Sequence, residues 1–210
     1  MNLSEMRTII RRDLHDEDAT NYRWTDDELD RHIAHAVSQF SQALPMEDTA
    51  DIATTASSRD VDIAQLSNRV MIETVEYPIG SYPPTYRRFA LWQDTLTILS
   101  DIVPDGSDAR IYYGKLHTLD ASSSTIPTQH EDLVALGAAA YALLEWANYA
   151  INRVNVGGAD TAETYQKQGS ELLTRFRKEL RRLGRTNRVR VRQLYTPATT
   201  PVSKSIVTGP

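Results

Sequence analysis

Two histidines one helical turn apart, His32 and His35, form the first pair whose type and spacing could do chemistry. Side chains three apart share a helix face, and two imidazoles on one face can hold zinc. No third ligand follows at a recognisable spacing, so surface histidines are expected; His15, His117 and His130 are isolated. Carboxylates gather as Asp13, Asp16, Glu17 and Asp18, then as Asp26, Asp27, Glu28 and Asp30. A hard cation needs oxygens on a constrained loop, typically turned by a glycine, and none lies there. A solvated acidic face is therefore expected, and no metal site. The sequence has no cysteine, which excludes thiolate zinc, disulfides and cysteine nucleophiles. Ala121-Ser122-Ser123-Ser124-Thr125 reads as a flexible loop with no nucleophile elbow, and Gly157-Gly158 lacks the lysine and strand of a phosphate loop. No catalytic residue or cofactor site emerges, so no enzyme is expected.

The C-terminal stretch offers more. Arg188, Val189, Arg190, Val191 and Arg192 alternate strictly, a strand pattern with no visible partner nearby. An unpaired strand can complete a neighbour's sheet, and its arginines can pair with a partner's carboxylates. Arg188, Arg190, Arg192, Tyr195 and the tail beyond are thus candidate partner contacts. A disordered basic tail is the bland alternative. DNA binding is the third reading, since arginines at every second position suit phosphates, but aromatic interleaving for base stacking is missing. Tyr77, Tyr82, Pro83, Pro84 and Tyr86 form an aromatic–proline cluster, expected to pack the edge of a small sheet rather than bind a peptide.

Charge divides along the chain. Residues 1–60 carry 13 acidic and 6 basic side chains, a net of −7, whereas residues 161–210 carry 11 basic and 3 acidic ones, a net of +8. Such poles point to nucleic acid or to a basic arm reaching an acidic protein, unless they merely solvate different faces. The length of 210 residues suits one domain or a core with an insertion. No signal peptide or membrane anchor is expected: Leu133 to Ala150 is interrupted by Glu145 and Asn148. The expectation is a soluble protein made in the cytoplasm.

The elements that must position these residues come in a clear order. Leu3, Met6, Ile9, Ile10 and Leu14 predict a helix over 3–14. Thr25 and Glu28 predict a capping box, followed by the stripe Leu29, Ile33, Ala36, Val37, Phe40 and Leu44, with Pro45 ending the helix. From about Asp48 to Thr118 the period changes to strands, around Val61–Ile63, Val70–Tyr77, Tyr86–Leu99 and Ala109–Leu119, with turns at 78–84 and 104–107. A third helix follows Pro127, capped by Thr128 or Gln129, with Leu133, Leu136, Ala140, Leu143, Leu144, Ala147 and Ile151 on its apolar face. Asn155 to Gly158 breaks it. Ala159 to Leu183 predicts the last helix, with Leu172, Leu173, Phe176 and Leu180 inward and Gly184 as its C-cap. The fold class is α+β: a four-helix core (1–47 and 121–185), an antiparallel β insertion between the second and third helices (48–120), and an extended C-terminal arm (186–210).

That ordered set resembles the head–tail adaptor (connector) family of tailed bacteriophages. The resemblance rests on Trp24-Thr25-Asp26-Asp27-Glu28-Leu29 leading into His35-Ala36-Val37-Ser38-Gln39-Phe40. It rests also on Ala109-Arg110-Ile111-Tyr112-Tyr113-Gly114 with Ile126-Pro127 and the Glu131 to Tyr149 helix, and on final helices ending in a basic tail. It implies a structural virion protein at the head–tail interface, forming a homo-oligomeric ring, usually twelvefold, beneath the portal. Such a ring lengthens the DNA channel, docks tail or nozzle proteins, and passes genomic DNA without sequence-specific binding. The C-terminal arms of such proteins often reach portal subunits. The alternative from another class is a basic-tailed DNA-binding module acting in packaging or regulation.

Overall fold

A computed structural model describes residues 1–151 and 162–194, with backbone alone for 188–194. Each of its first two helices begins where a side chain satisfies an orphan amide. In α1 (Leu3–Asp13), Asn2 Oδ1 accepts from the Glu5 amide at 2.9 Å while Glu5 accepts from the Asn2 amide at 2.8 Å. The same reciprocal box opens α2 (Asp26–Ala43), where Glu28 accepts from the Thr25 amide at 2.7 Å. The α2 stripe predicted from Leu29 to Phe40 is buried, and His32 and Ser41 are buried with it.

The third helix, α3 (Glu131–Ala150), is entered through a 3-10 turn over Thr128–His130, which replaces the expected Thr128 or Gln129 cap. The first, second and fourth helices all pack on α3, so its alanine-dense centre is buried on several sides rather than along one stripe. Ile151, expected inward, is exposed. The fourth helix, α4 (Ala162–Leu194), runs antiparallel to α3 and approaches it closely through glycines, which leave room that a methyl group would fill. Phe176 and Leu180 are buried and Leu172 and Leu173 half-buried, as the periodicity predicts. The expected break at Asn155–Gly158 lies outside the described residues.

Two expectations for the C-terminal end are corrected. Helix α4 does not stop at Gly184, and the backbone of 188–192 is helical rather than extended. The physical reason is local: a lone strand leaves its backbone groups unpaired, whereas adding turns to an existing helix satisfies them without a new nucleus. The rest of the expected arm, from Tyr195, lies outside the described residues.

Between α2 and α3 lie β1 (Met46–Ala53), β2 (Asp60–Asp62), β3 (Arg69–Glu76), β4 (Tyr86–Trp92), β5 (Thr95–Leu99) and β6 (Asp108–Lys115). They form one antiparallel sheet in the order β1-β6-β3-β4-β5-β2. The Tyr86–Leu99 run is divided into a hairpin at Gln93, which takes a left-handed φ of 51°. Ile52 of edge strand β1 and Val61 of edge strand β2 join one apolar cluster with Val75, Leu96, Ile98 and Ile111. A sheet whose opposite edges share a core must roll upon itself. The helices have their own cluster, centred on Phe40, Trp24, Ala138 and Phe176.

His117 ties the two parts together. Its amide donates to Ser41 Oγ at 2.9 Å, and its ring nitrogens lie 3.1 Å from the Leu44 carbonyl and 2.9 Å from that of Thr125. Pro45 packs directly on Gly114 of β6, where a Cβ would come within 2.6 Å of the proline ring. The Ala121–Thr125 segment, expected to be flexible, is an ordered turn: Asp120 Oδ1 accepts from the Ser122 and Ser123 amides, both at 2.8 Å.

Candidate docking site

The basic end of α4 is held in place by packing, not by charge. Phe176 and Leu180 anchor the helix in the core, which leaves Arg175, Arg177, Lys178, Arg181, Arg182 and Arg185 exposed. Arg182 pairs with Glu179 at 2.7 Å. Arg177, Arg181 and Arg185 recur at every fourth residue, and no ion pair or hydrogen bond is formed by their guanidinium groups among the described residues. They line a groove of about 500 Å3 between α4, the end of α2 and Met71 of β3. Arg188 and Arg192 continue the helical register of that row, while Arg190 falls outside it, and only the backbone is described for all three. Tyr195 lies outside the described residues.

The acidic half is organised differently from the expected solvated face. Arg11 is buried, 6% exposed, and donates to Asp16 Oδ2 and Asp26 Oδ1 at 2.7 Å each and to the Trp24 carbonyl at 3.0 Å. The Tyr22 ring covers its guanidinium at 3.5 Å. Arg7 reaches Asp30 at 2.5 Å and Asp26 at 3.1 Å. The Arg11 guanidinium holds the Asp26 carboxyl below the ordinary carboxylate range. Buried Asp16 also accepts from the Arg23 amide at 2.7 Å, so these charges fasten the α1–α2 connection and place Trp24. Trp24 in turn donates its indole N–H to the Ala142 carbonyl at 3.2 Å. Composition could not reveal this, because it counts charges without showing which are buried.

The histidine pair is also split. His32 is buried against Glu145, 2.5 Å from its carboxylate, while His35 is exposed and stacks on Tyr141 at 4.2 Å. The expectation of surface histidines fails for His32. Among the described residues no group of three or more histidine or carboxylate side chains could hold a metal ion.

The affiliation of the chain follows from a comparison of sequence. The family model described as SU10 adaptor protein matches residues 1–201. The chain belongs to the SU10 adaptor protein family. That is a family of bacteriophage adaptor proteins, and it places the chain among structural components of the virion. No curated protein matches the sequence. The family match runs from α1 through α4 into the segment beyond it, so the basic end of α4 belongs to the adaptor itself.

This SU10-family adaptor also exposes large apolar side chains at both ends of the β4–β5 hairpin. At the turn Trp92 is 80% exposed, with Leu91 beside it; at the open end lie Leu99 and, in the flanking connections, Ile102, Val103 and Tyr82, which is 98% exposed. The aromatic–proline cluster expected to pack the sheet edge is thus divided. Tyr77 is buried and donates its hydroxyl to Asp105 at 2.8 Å, Tyr86 meets Tyr112 edge-on, and Tyr82 projects into solvent. No described helix is long and apolar enough to cross a membrane.

Proposed function

We propose that this adaptor forms a ring beneath the portal, twelvefold, that lengthens the DNA channel and docks tail or nozzle proteins. The observation that carries the reading is the adaptor family match over residues 1–201. The basic end of α4 and the following arm supply the portal contact, through Arg188, Arg190, Arg192 and Tyr195. Support comes from the row of exposed arginines that leads toward them along α4. Genomic DNA passes through the lumen without sequence-specific binding, and no reaction is assigned. The same reading treats 1–47 and 121–185 as one helical core and 48–120 as an insertion; separate apolar clusters in the two parts support that division.

Cryo-electron microscopy of the chain mixed with its cognate portal tests this. The full chain is expected to give a ring under the portal. Deletion of 195–210, combined with Arg188→Glu, Arg190→Glu and Arg192→Glu, is expected to abolish it. A ring that survives those changes would remove the arm from the contact. No complex at all, with salt-sensitive DNA binding by the intact chain, would favour the DNA-binding alternative.

A further inference from the structure

We infer that the groove beside α4 receives an extended acidic segment of another virion protein, gripped by Arg177, Arg181 and Arg185. This rests on the adaptor reading but assigns a site upstream of the arm. Three features of the groove set the chemistry of its occupant.

The first is unspent charge. The three guanidinium groups share one side of α4 and form no ion pair or hydrogen bond among the described residues, whereas Arg7, Arg11, Arg31 and Arg182, at other described helical positions, are all paired. A row of fork-shaped donors that the described residues leave unused is suited to carboxylates from elsewhere.

The second is spacing. Arginines four residues apart on a helix are displaced by about 6 Å along its axis. Alternate residues of an extended chain are about 6.6 Å apart. Carboxylates at every second position of an extended segment therefore match the row almost one for one, whereas adjacent carboxylates point to opposite sides.

The third is the opposite wall. Pro45 and half-exposed Met71 face the arginines across the groove, and Gln42 is exposed with its amide unengaged. An apolar wall with an amide group favours a peptide, whose intervening side chains and backbone can use both. A phosphate backbone could accept from the Gln42 amide but has nothing to set against the apolar wall.

The test is fluorescence anisotropy with the full-length chain and a short labelled peptide carrying Glu at alternate positions, Val and Thr between them. An isomer with its glutamates bunched at one end and a labelled DNA duplex serve as comparisons. The alternating peptide is expected to bind more tightly than either. Arg181→Glu with Arg185→Glu should weaken it about tenfold or more, and the neutral pair Arg181→Gln with Arg185→Gln should weaken it in the same direction. Arg175→Glu with Lys178→Glu, an equal charge change outside the groove, should cost less than about threefold. Equal losses for the two reversals, tighter binding of DNA, or no binding of the peptide would overturn the inference. Concentration-dependent self-association abolished by the groove reversal would overturn it too, by making a second copy the occupant. A chain that forms the portal ring but ignores the peptide sinks the groove alone; one that binds the peptide but never joins a portal sinks the adaptor reading.

Discussion

Gly137 of α3 and Phe176 of α4 are pressed together: a Cβ at residue 137 would lie 2.7 Å from the phenyl ring, which is fully buried. Helix propensity favours alanine over glycine by up to about 1 kcal/mol. Overpacking a core costs about 1–3 kcal/mol, so the clash wins. Gly137→Ala should therefore lower stability by about 1 kcal/mol in urea unfolding. Adding Phe176→Leu should make the same alanine substitution less harmful, because the smaller side chain vacates the space. Independent, additive effects of the two changes would show that the contact is not tight.

Arg11 is the keystone of the acidic half. Its removal strands Asp16, which is as deeply buried as Arg11 itself. Breaking a buried pair from one side costs about 3–5 kcal/mol, and the two amides that still donate to Asp16 place Arg11→Ala at the low end, about 3 kcal/mol. Arg11→Lys should recover little, since one ammonium cannot span Asp16, Asp26 and the Trp24 carbonyl. Thermal unfolding of both variants, followed by circular dichroism, checks this. Full rescue by lysine would reduce the network to a point charge.

The sheet has an acid-sensitive clasp. Hydrogen bonds from Ser107 and then from the Tyr77 hydroxyl hold the Asp105 carboxyl down to about 2, against an ordinary 3.8. A carboxyl with a depressed folded-state pKa binds its proton more readily when unfolded. Its contribution to stability is complete above 3.8 and is lost as the pH falls toward 2. Asp105→Asn should therefore flatten part of the decline in urea midpoint between those two values, leaving the slope near neutrality unchanged. An undiminished decline would assign the acid sensitivity to other carboxylates, such as Asp48 beside Lys115.

How far the fold was legible followed from how local each signal was. Thr25 and Glu28 are three residues apart and declare their helix outright, and the α+β order with its antiparallel insertion came from changes of period alone. The Asn2–Glu5 box carries the same code, but an apolar periodicity beginning at Leu3 gives no sign of the cap before it. Strand β1 was hidden because Glu47, Asp48 and Asp51 make it look like a polar loop; as an edge strand it buries chiefly Ile52. Its pairing with β6, Ala50 opposite Ile111, spans a separation no local pattern encodes. Of the candidate site, the basic composition was legible. Its organisation was not: the arginine row of the groove emerges only when α4 is continuous through Gly184.

That continuity makes a last prediction, with opposite signs for the two structures Gly184 could adopt. As a C-cap it would take a left-handed conformation, where alanine is strained and the substitution destabilises. In the continuous helix it is an interior residue, with the Ala43 carbonyl oxygen 3.5 Å from where a Cβ would stand, an ordinary contact distance. Nothing there opposes the methyl group, and the gain in helix propensity is about 0.5–1 kcal/mol. Gly184→Ala should therefore raise the unfolding midpoint and increase helical circular dichroism slightly. It should also tighten the alternating acidic peptide, because a stiffer helix holds Arg177, Arg181 and Arg185 in register. A destabilised variant would restore the break at Gly184 and separate Arg185 from the other two arginines.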